Sequence, residues 1–172
     1  PGPLVGPVFP VPFHDPGALA RVFSEPRVSG VFVESIQGEG GVLPLYPDAA
    51  AAMKRLCAAN KALLVADEIQ TGVGRTGKFF GFEHDGLAPQ VITLAKGLGG
   101  GLPIGATLIH PETAKLCEPG SHGTTFGGNA VAAAAGNAVM DVLEEQNLMG
   151  RAAALGERFM AEVREQGCAI GL

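Results

Sequence analysis

Apolar residues along this chain gather in short runs, and several of these runs end in a charged side chain. Val28-Ser-Gly-Val-Phe-Val-Glu-Ser35 is one: short for a helix, rich in β-branched and aromatic residues, and closed by Glu34. Ala62-Leu-Leu-Val-Ala66 repeats the pattern and runs into Asp67-Glu68, and Val91-Ile-Thr-Leu-Ala95 runs into Lys96. All three are predicted as buried strands. Gly105-Ala-Thr-Leu-Ile-His110 is predicted as a fourth, antiparallel because its link to the third is short. The Gly-rich residues 37–41 turn the chain. Residues 49–60 then carry Met53, Leu56 and Cys57 on one side of an Ala-rich helix, with Asp48 as its expected cap. Two more helices are predicted over 130–146 and 148–166, after a loop at 121–128. Prolines at 1, 3, 7, 10, 12 and 16 make the opening an extended, loop-like connection.

Strands alternating with helices indicate an α/β fold, a mostly parallel sheet with flanking helices. In such sheets ligands bind beyond the carboxyl ends of the strands, so Glu34, Asp67 and Lys96, each at a strand's end, converge on one region. The 47% hydrophobic and 17% charged content fits a single well-buried body rather than a disordered segment. A net charge of -5 without any basic block argues against nucleic acid or an anionic membrane as partner. The longest apolar stretch, Ala130 to Met140, is broken by Gly136 and Asn137 and is short for a bilayer span. Cys57, Cys117 and Cys168 are odd in number and far apart, which predicts neither a disulfide framework nor a structural zinc and favours a reducing, cytoplasmic setting. No signal peptide is visible. The chain opens with Pro1 and stops at Gly171-Leu172, and reads as a piece of something longer.

Two glycine-rich stretches mimic nucleotide loops. Gly72-Val-Gly-Arg-Thr-Gly-Lys78 matches the first seven places of a P-loop, but Phe79 stands where a magnesium-holding hydroxyl is needed, and the stretch follows a polar turn instead of joining strand to helix. Gly97-Leu-Gly-Gly-Gly101 lacks the spacing of a dinucleotide loop and follows a lysine. What the residues do supply is a lysine amine at a strand end, a carboxylate at the end of another strand with Gln70 close behind it, and small backbone around the lysine. A loop, Gly123-Thr-Thr-Phe-Gly-Gly-Asn129, adds two hydroxyls and amides before a helix, suited to a phosphate. That set is compatible with Schiff-base chemistry on a pyridoxal phosphate (PLP) cofactor, among several alternatives.

Four stretches carry a more specific signal. Val33-Glu-Ser-Ile-Gln-Gly-Glu-Gly-Gly41, Asp67-Glu-Ile-Gln-Thr-Gly-Val-Gly-Arg-Thr-Gly77, Thr93-Leu-Ala-Lys-Gly-Leu-Gly-Gly-Gly101 and His122-Gly-Thr-Thr-Phe-Gly-Gly-Asn129 resemble, in order and spacing, the successive signatures of the class III, fold-type I aminotransferases. Within them the chain is most similar to the acetylornithine aminotransferases of arginine biosynthesis. The resemblance implies PLP as cofactor and Lys96 as the Schiff-base lysine that also moves the proton during transamination. It implies that Asp67 pairs with the pyridine nitrogen, Ile69 packs on the ring and Gln70 lies near the ring hydroxyl, with Glu68 in the same cofactor-binding stretch. Thr125 would reach the phosphate of a neighbouring subunit's cofactor, making the active form a homodimer. Thr124 would sit near substrate, and Glu39 resembles a gating glutamate.

The implied reaction moves the terminal amino group of N-acetylornithine to 2-oxoglutarate. Ornithine and 4-aminobutyrate aminotransferases of the same class are the alternatives, as is an inactive truncated fragment. Other relatives by resemblance are aminomutases, racemases and decarboxylases, but the Asp-Glu-Ile-Gln-Thr-Gly stretch favours a transaminase. Ser35, Gln90 and Ala130 depart from the family pattern, where proline, aspartate and proline are usual, and remove no chemical group. The resemblance also implies that residues 1–172 are part of the major PLP-binding domain, without the N-terminal segment and the C-terminal small domain. Glu34 stays open between a structural hydrogen-bonder and a site residue; Arg75 and Lys78 are expected as loop supports or solvated charges, His122 as a shaper of its loop, and His14, His84 and His110 at the surface.

Overall fold

The computed structural model describes residues 6–24 and 28–167. The strand prediction holds. Strands β1 (Gly30–Val33), β4 (Leu63–Asp67), β5 (Val91–Leu94) and β6 (Ala106–Ile109) form one sheet in that order. The first three run parallel, with Val33 opposite Ala66 and Asp67 opposite Thr93, and β6 pairs antiparallel to β5, Ala106 opposite Leu94. A further pair, β2 (Ile36–Gln37) and β3 (Leu43–Pro44), makes a small hairpin over the glycine-rich turn. The sequence showed only the turn, because strands of two residues carry no periodicity.

Register assigns sides. Val31 and Val33, Leu64 and Ala66, Ile92 and Leu94, and Ala106 share one face. Helix α2 (Pro47–Asn60) covers that face over β1 and β4, burying Ala49, Met53, Leu56 and Cys57 against Val33 and Leu64. Over β5 and β6 the cover comes from Val73, Leu98 and helix α4 (Ala130–Glu145), whose Val139, Met140 and Leu143 pack against Leu94. The opposite face is bare at β1, where Phe32 is 79% exposed.

Two helix starts differ from expectation. The proline-rich opening ends in a helix, α1 (Pro16–Ser24): Pro16 supplies a preset φ, and Asp15 accepts the Ala18 amide at 2.7 Å as an N-cap would. Asp-Pro-Gly-Ala was a legible helix start. Residues 6–15 are irregular, as predicted, while Pro1 and Pro3 lie outside the described residues. In α2 the cap is Tyr46, not Asp48. Pro47 opens the helix two residues earlier, so Asp48 falls in the first turn, where its carboxylate accepts its neighbour Ala49's amide and favours the positive helix end.

The helices over α4 and α5 (Leu148–Glu165) match the predicted spans within a residue. Asn129 caps α4 through the Ala132 amide at 2.9 Å. A short helix, α3 (Pro111–Ala114), precedes the 121–128 loop. Among the described residues no helix is long and apolar enough to cross a membrane, and no cluster of metal-binding side chains occurs. Cys57 is buried and Cys117 exposed, both free, and Cys168 lies outside the described residues.

Candidate active site

Parallel pairing brings the ends of β1, β4 and β5 side by side, and with them Glu34, Asp67 and Lys96. Lys96 lies two residues past β5 and opens a 3-10 turn, Lys96–Gly99, with its backbone in the left-handed region at φ 45°. A non-glycine residue there is strained by about 1–3 kcal/mol and persists only where packing over-determines it. The packing is visible on both sides. Leu94 and Leu98 are buried beneath α4, and Gly99 lies so close to Ile104 that a Cβ would come within 2.8 Å of its Cγ2. Lys96 is therefore fixed at its backbone, with an exposed side chain whose Nζ donates to Gln70 Oε1.

Asp67, half-buried, closes β4, and its Oδ1 accepts the Ile69 amide at 3.0 Å. That bond orients the carboxylate at the mouth of the sheet and presents Ile69, partly exposed, next to it. Beside Lys96 lies an open concavity of about 590 Å³, lined by Ala95, Lys96, Gly101, Leu102, Pro103, Ile104 and Gly105. Its walls are small or apolar, and neither Asp67 nor Gln70 lines it. The residues fit an aldehyde-bearing flat cofactor: an accessible amine on a fixed backbone, an oriented carboxylate one strand away, and glycine where a ring would need room.

Glu68 goes elsewhere. It is 1% exposed, and its carboxylate accepts Thr71 Oγ1 at 2.8 Å, the Gly81 amide at 2.7 Å and the Phe82 amide at 2.8 Å. Its carboxylate is committed inside the protein, where it ties the residue 69–80 loop to the turn that follows. The sequence left this clamp unseen, since its two amide donors lie more than a dozen residues downstream. The same loop explains the false P-loop: residues 69–80 are successive turns and bends followed by a single 3-10 turn rather than an α-helix, Val73 has φ 60°, and Gly77 abuts Ala153 of α5.

Glu34 is partly buried and accepts the Gly38 amide at 3.4 Å, a bond that ties the hairpin turn to the end of β1. Glu39 stands exposed on the tip of that turn. Thr124 and Thr125 lie on an exposed loop. Thr124 Oγ1 accepts the Gly127 amide at 3.2 Å, and among the described residues neither threonine is hydrogen-bonded to Lys96, Asp67 or Gln70. His122 bonds Ser121 within the loop at 2.8 Å, as a loop-shaping residue would. His84 and His110 are exposed. His14 departs from expectation: it is half-buried, with its ring stacked 3.6 Å from that of Tyr46. Arg75 and Thr76 face a second cavity of about 510 Å³ with Ser35, His84 and Asp85, which none of the predicted site residues lines.

Comparison with known proteins gives the family. The family model for aminotransferase class-III matches residues 18–169. The acetylornithine aminotransferase of Streptomyces coelicolor is 48% identical over 99% of this chain and 45% of its own length. That of Mycobacterium tuberculosis is 51% identical over 96% of this chain and 41% of its own. Among solved structures, the ornithine delta-aminotransferase of Plasmodium falciparum superimposes with a TM-score of 0.87 at 40% identity, over 96% of this chain and 43% of that one. The chain thus spans a little under half the length of these relatives.

Proposed function

Because the chain belongs to the class III aminotransferases, we propose that it carries the lysine-bearing part of a PLP-dependent enzyme that moves the terminal amino group of N-acetylornithine to 2-oxoglutarate. The observation that carries the proposal is Lys96, a strained, packed backbone bearing an accessible amine at the carboxyl end of a parallel strand, one strand from an oriented Asp67. When bound, PLP supplies a protonated pyridine ring that accepts the electron pair released from the substrate's carbon–hydrogen bond. Lys96 would hold the cofactor's aldehyde carbon and, once free, carry the proton at its Nζ to and from substrate. Asp67 would hold the proton on the ring nitrogen, and an ionised carboxylate suits that task. Ile69 gives an apolar wall and Gln70 an amide at the ring's polar edge.

Glu39, exposed at the hairpin tip, would serve as the gating glutamate. A homodimer is part of this proposal. Thr124 and Thr125 stand on a loop whose next residue, Phe126, is 80% exposed, and Val131 one turn on is 70% exposed, which is apolar surface suited to a neighbouring subunit. Thr125 would reach that subunit's phosphate. The likeness to ornithine aminotransferase supports free ornithine as the second candidate donor.

The deciding experiment is borohydride reduction of the chain with PLP, followed by peptide mass spectrometry. A phosphopyridoxyl group on Lys96, and not on Lys54, Lys61, Lys78 or Lys115, supports the assignment. Label elsewhere in an active full-length relative carrying this segment would sink it. Turnover is a separate matter. The concavity at Lys96 has no arginine in its lining to hold a substrate carboxylate, so the chain alone should make no glutamate from acetylornithine and 2-oxoglutarate; glutamate formation refutes that expectation. In the full-length enzyme, a large preference for ornithine over acetylornithine in kcat/KM would replace the donor while leaving the class intact.

A further inference from the structure

We infer that Gly38, in the hairpin turn, is a positioning residue for Lys96, acting through the side-chain amide of Gln70. The turn is tied to the sheet by the bond from the Gly38 amide to Glu34, which sits at the end of β1. Gly38 in turn lies flat against Gln70. A Cβ built on Gly38 would fall 2.5 Å from Gln70 Cδ and 2.9 Å from its Oε1, and closer still to Nε2. Gln70 Oε1 is the atom that accepts from Lys96 Nζ. One contact chain therefore runs from Glu34 through Gly38 and Gln70 to the lysine amine, joining three stretches far apart in sequence.

Two details separate this from an ordinary turn glycine. Gly38 is not among the residues with positive φ, whereas Gly41 in the same turn is, at φ 113°. Its backbone thus accepts any L-residue, and the demand for glycine comes from the neighbour rather than from the turn. The neighbour is the tip of a flexible side chain, not backbone, so an added methyl group displaces the amide and leaves the fold in place. Gln70 has no other recorded side-chain hydrogen bond among the described residues, so displacement costs it only the contact with Lys96.

The consequence is that Gly38 sets how firmly Lys96 is held before it meets an aldehyde. Held to a carbonyl oxygen, the amine must break that bond to turn toward an incoming electrophile, and its reach is fixed. The role in catalysis rests on the function proposed above, but the contact chain does not, and it is tested without cofactor.

Pulse acetylation of the cofactor-free chain with acetic anhydride, read by peptide mass spectrometry, gives the rate at Lys96 relative to Lys54, an exposed lysine on α2. Gly38→Ala and Gln70→Ala are each expected to raise that ratio by about tenfold, the lower end of what loss of one hydrogen bond to a charged group would give. In the Gln70→Ala background, Gly38→Ala should add nothing, since the amide it displaces is gone. An unchanged ratio in Gly38→Ala overturns the inference. So does an effect that persists in full without Gln70, which would mark a turn glycine only. Loss of the far-ultraviolet circular dichroism of Gly38→Ala also overturns it, because the methyl was then not absorbed by the amide tip; Gln70→Ala still reports on the contact with Lys96. Failure of phosphopyridoxyl trapping at Lys96 would count against the functional proposal and leave this relay untouched.

Discussion

Glu68 should prove one of the most costly side chains in the protein to alter, although it lies next to the proposed cofactor carboxylate. It is almost fully buried, it has no cationic partner among the described residues, and three donors converge on it at 2.7–2.8 Å. Two of those donors are backbone amides, which cannot turn away. Gly81 adds a steric reason for the site's exact shape to matter: a Cβ there would meet Thr71 Cβ at 2.8 Å. In Glu68→Gln the amide oxygen can keep Thr71 and Gly81, but its NH2 then faces the Phe82 N–H, and one unsatisfied buried donor costs about 1–3 kcal/mol. In Glu68→Ala both amides lose their acceptor and a small cavity remains, for a total of roughly 3–5 kcal/mol after relief of the buried charge is set against it. Thr71→Val removes one hydroxyl bond and should cost about 1–2 kcal/mol.

These losses are large against a total stability of about 5–15 kcal/mol for a domain. Urea unfolding followed by far-ultraviolet circular dichroism is the assay, because the chain has no tryptophan and one tyrosine, too few for intrinsic fluorescence. The expected order of destabilisation is Ala above Gln above Val. Where Glu68→Gln remains folded, its labelling of Lys96 by PLP should match the parent. A Glu68→Gln midpoint shift worth less than about 0.5 kcal/mol, or normal stability with lost labelling, would refute the clamp.

Gly72→Ala should destabilise by at least about 1–3 kcal/mol on the same assay, because its Cβ would fall 2.7 Å from both the Glu68 carbonyl and Leu94 Cδ2, and the backbone cannot yield. Asn129→Ala should cost about 1 kcal/mol through loss of the α4 cap, with Asn129→Asp retaining most of it. Iodoacetamide should modify exposed Cys117 quickly and buried Cys57 only on unfolding, as mass spectrometry of the two peptides would show. Burial pushes the Cys57 thiol above its ordinary value of 9.0. The folded state then keeps a proton that the unfolded state loses, so this contribution is intact below pH 9.0 and declines as pH rises above it. Cys57→Ala should flatten that alkaline decline in urea midpoints; an unchanged slope would remove Cys57 as its cause.

The sequence by itself determined the sheet and which charged residues stand at its strand ends. Period-two and continuous apolar runs encode which residues face a core, and a charged residue after such a run marks where a strand leaves it; hence Glu34, Asp67 and Lys96 were legible together. The short link before β6 was enough for its direction. The four ordered motifs carried the family. Local signals misled where two start residues competed, as Pro47 took the helix start from Asp48, and the helix start at Asp15-Pro16 was masked by the prolines before it.

What each polar group does with its lone pairs was decided only by tertiary structure. Asp67 and Glu68 are neighbouring acids at one strand end, yet one stays at the mouth of the sheet and the other is drawn inside, because the turn at residues 81 and 82 returns two amides to it. Lys96 meets Gln70, and Gln70 meets Gly38, across gaps that no local pattern spans. Periodicity is a property of adjacent residues and fixes sidedness; a hydrogen-bond partner is chosen by which distant segment packing brings within reach, and that is known only once the chain has folded.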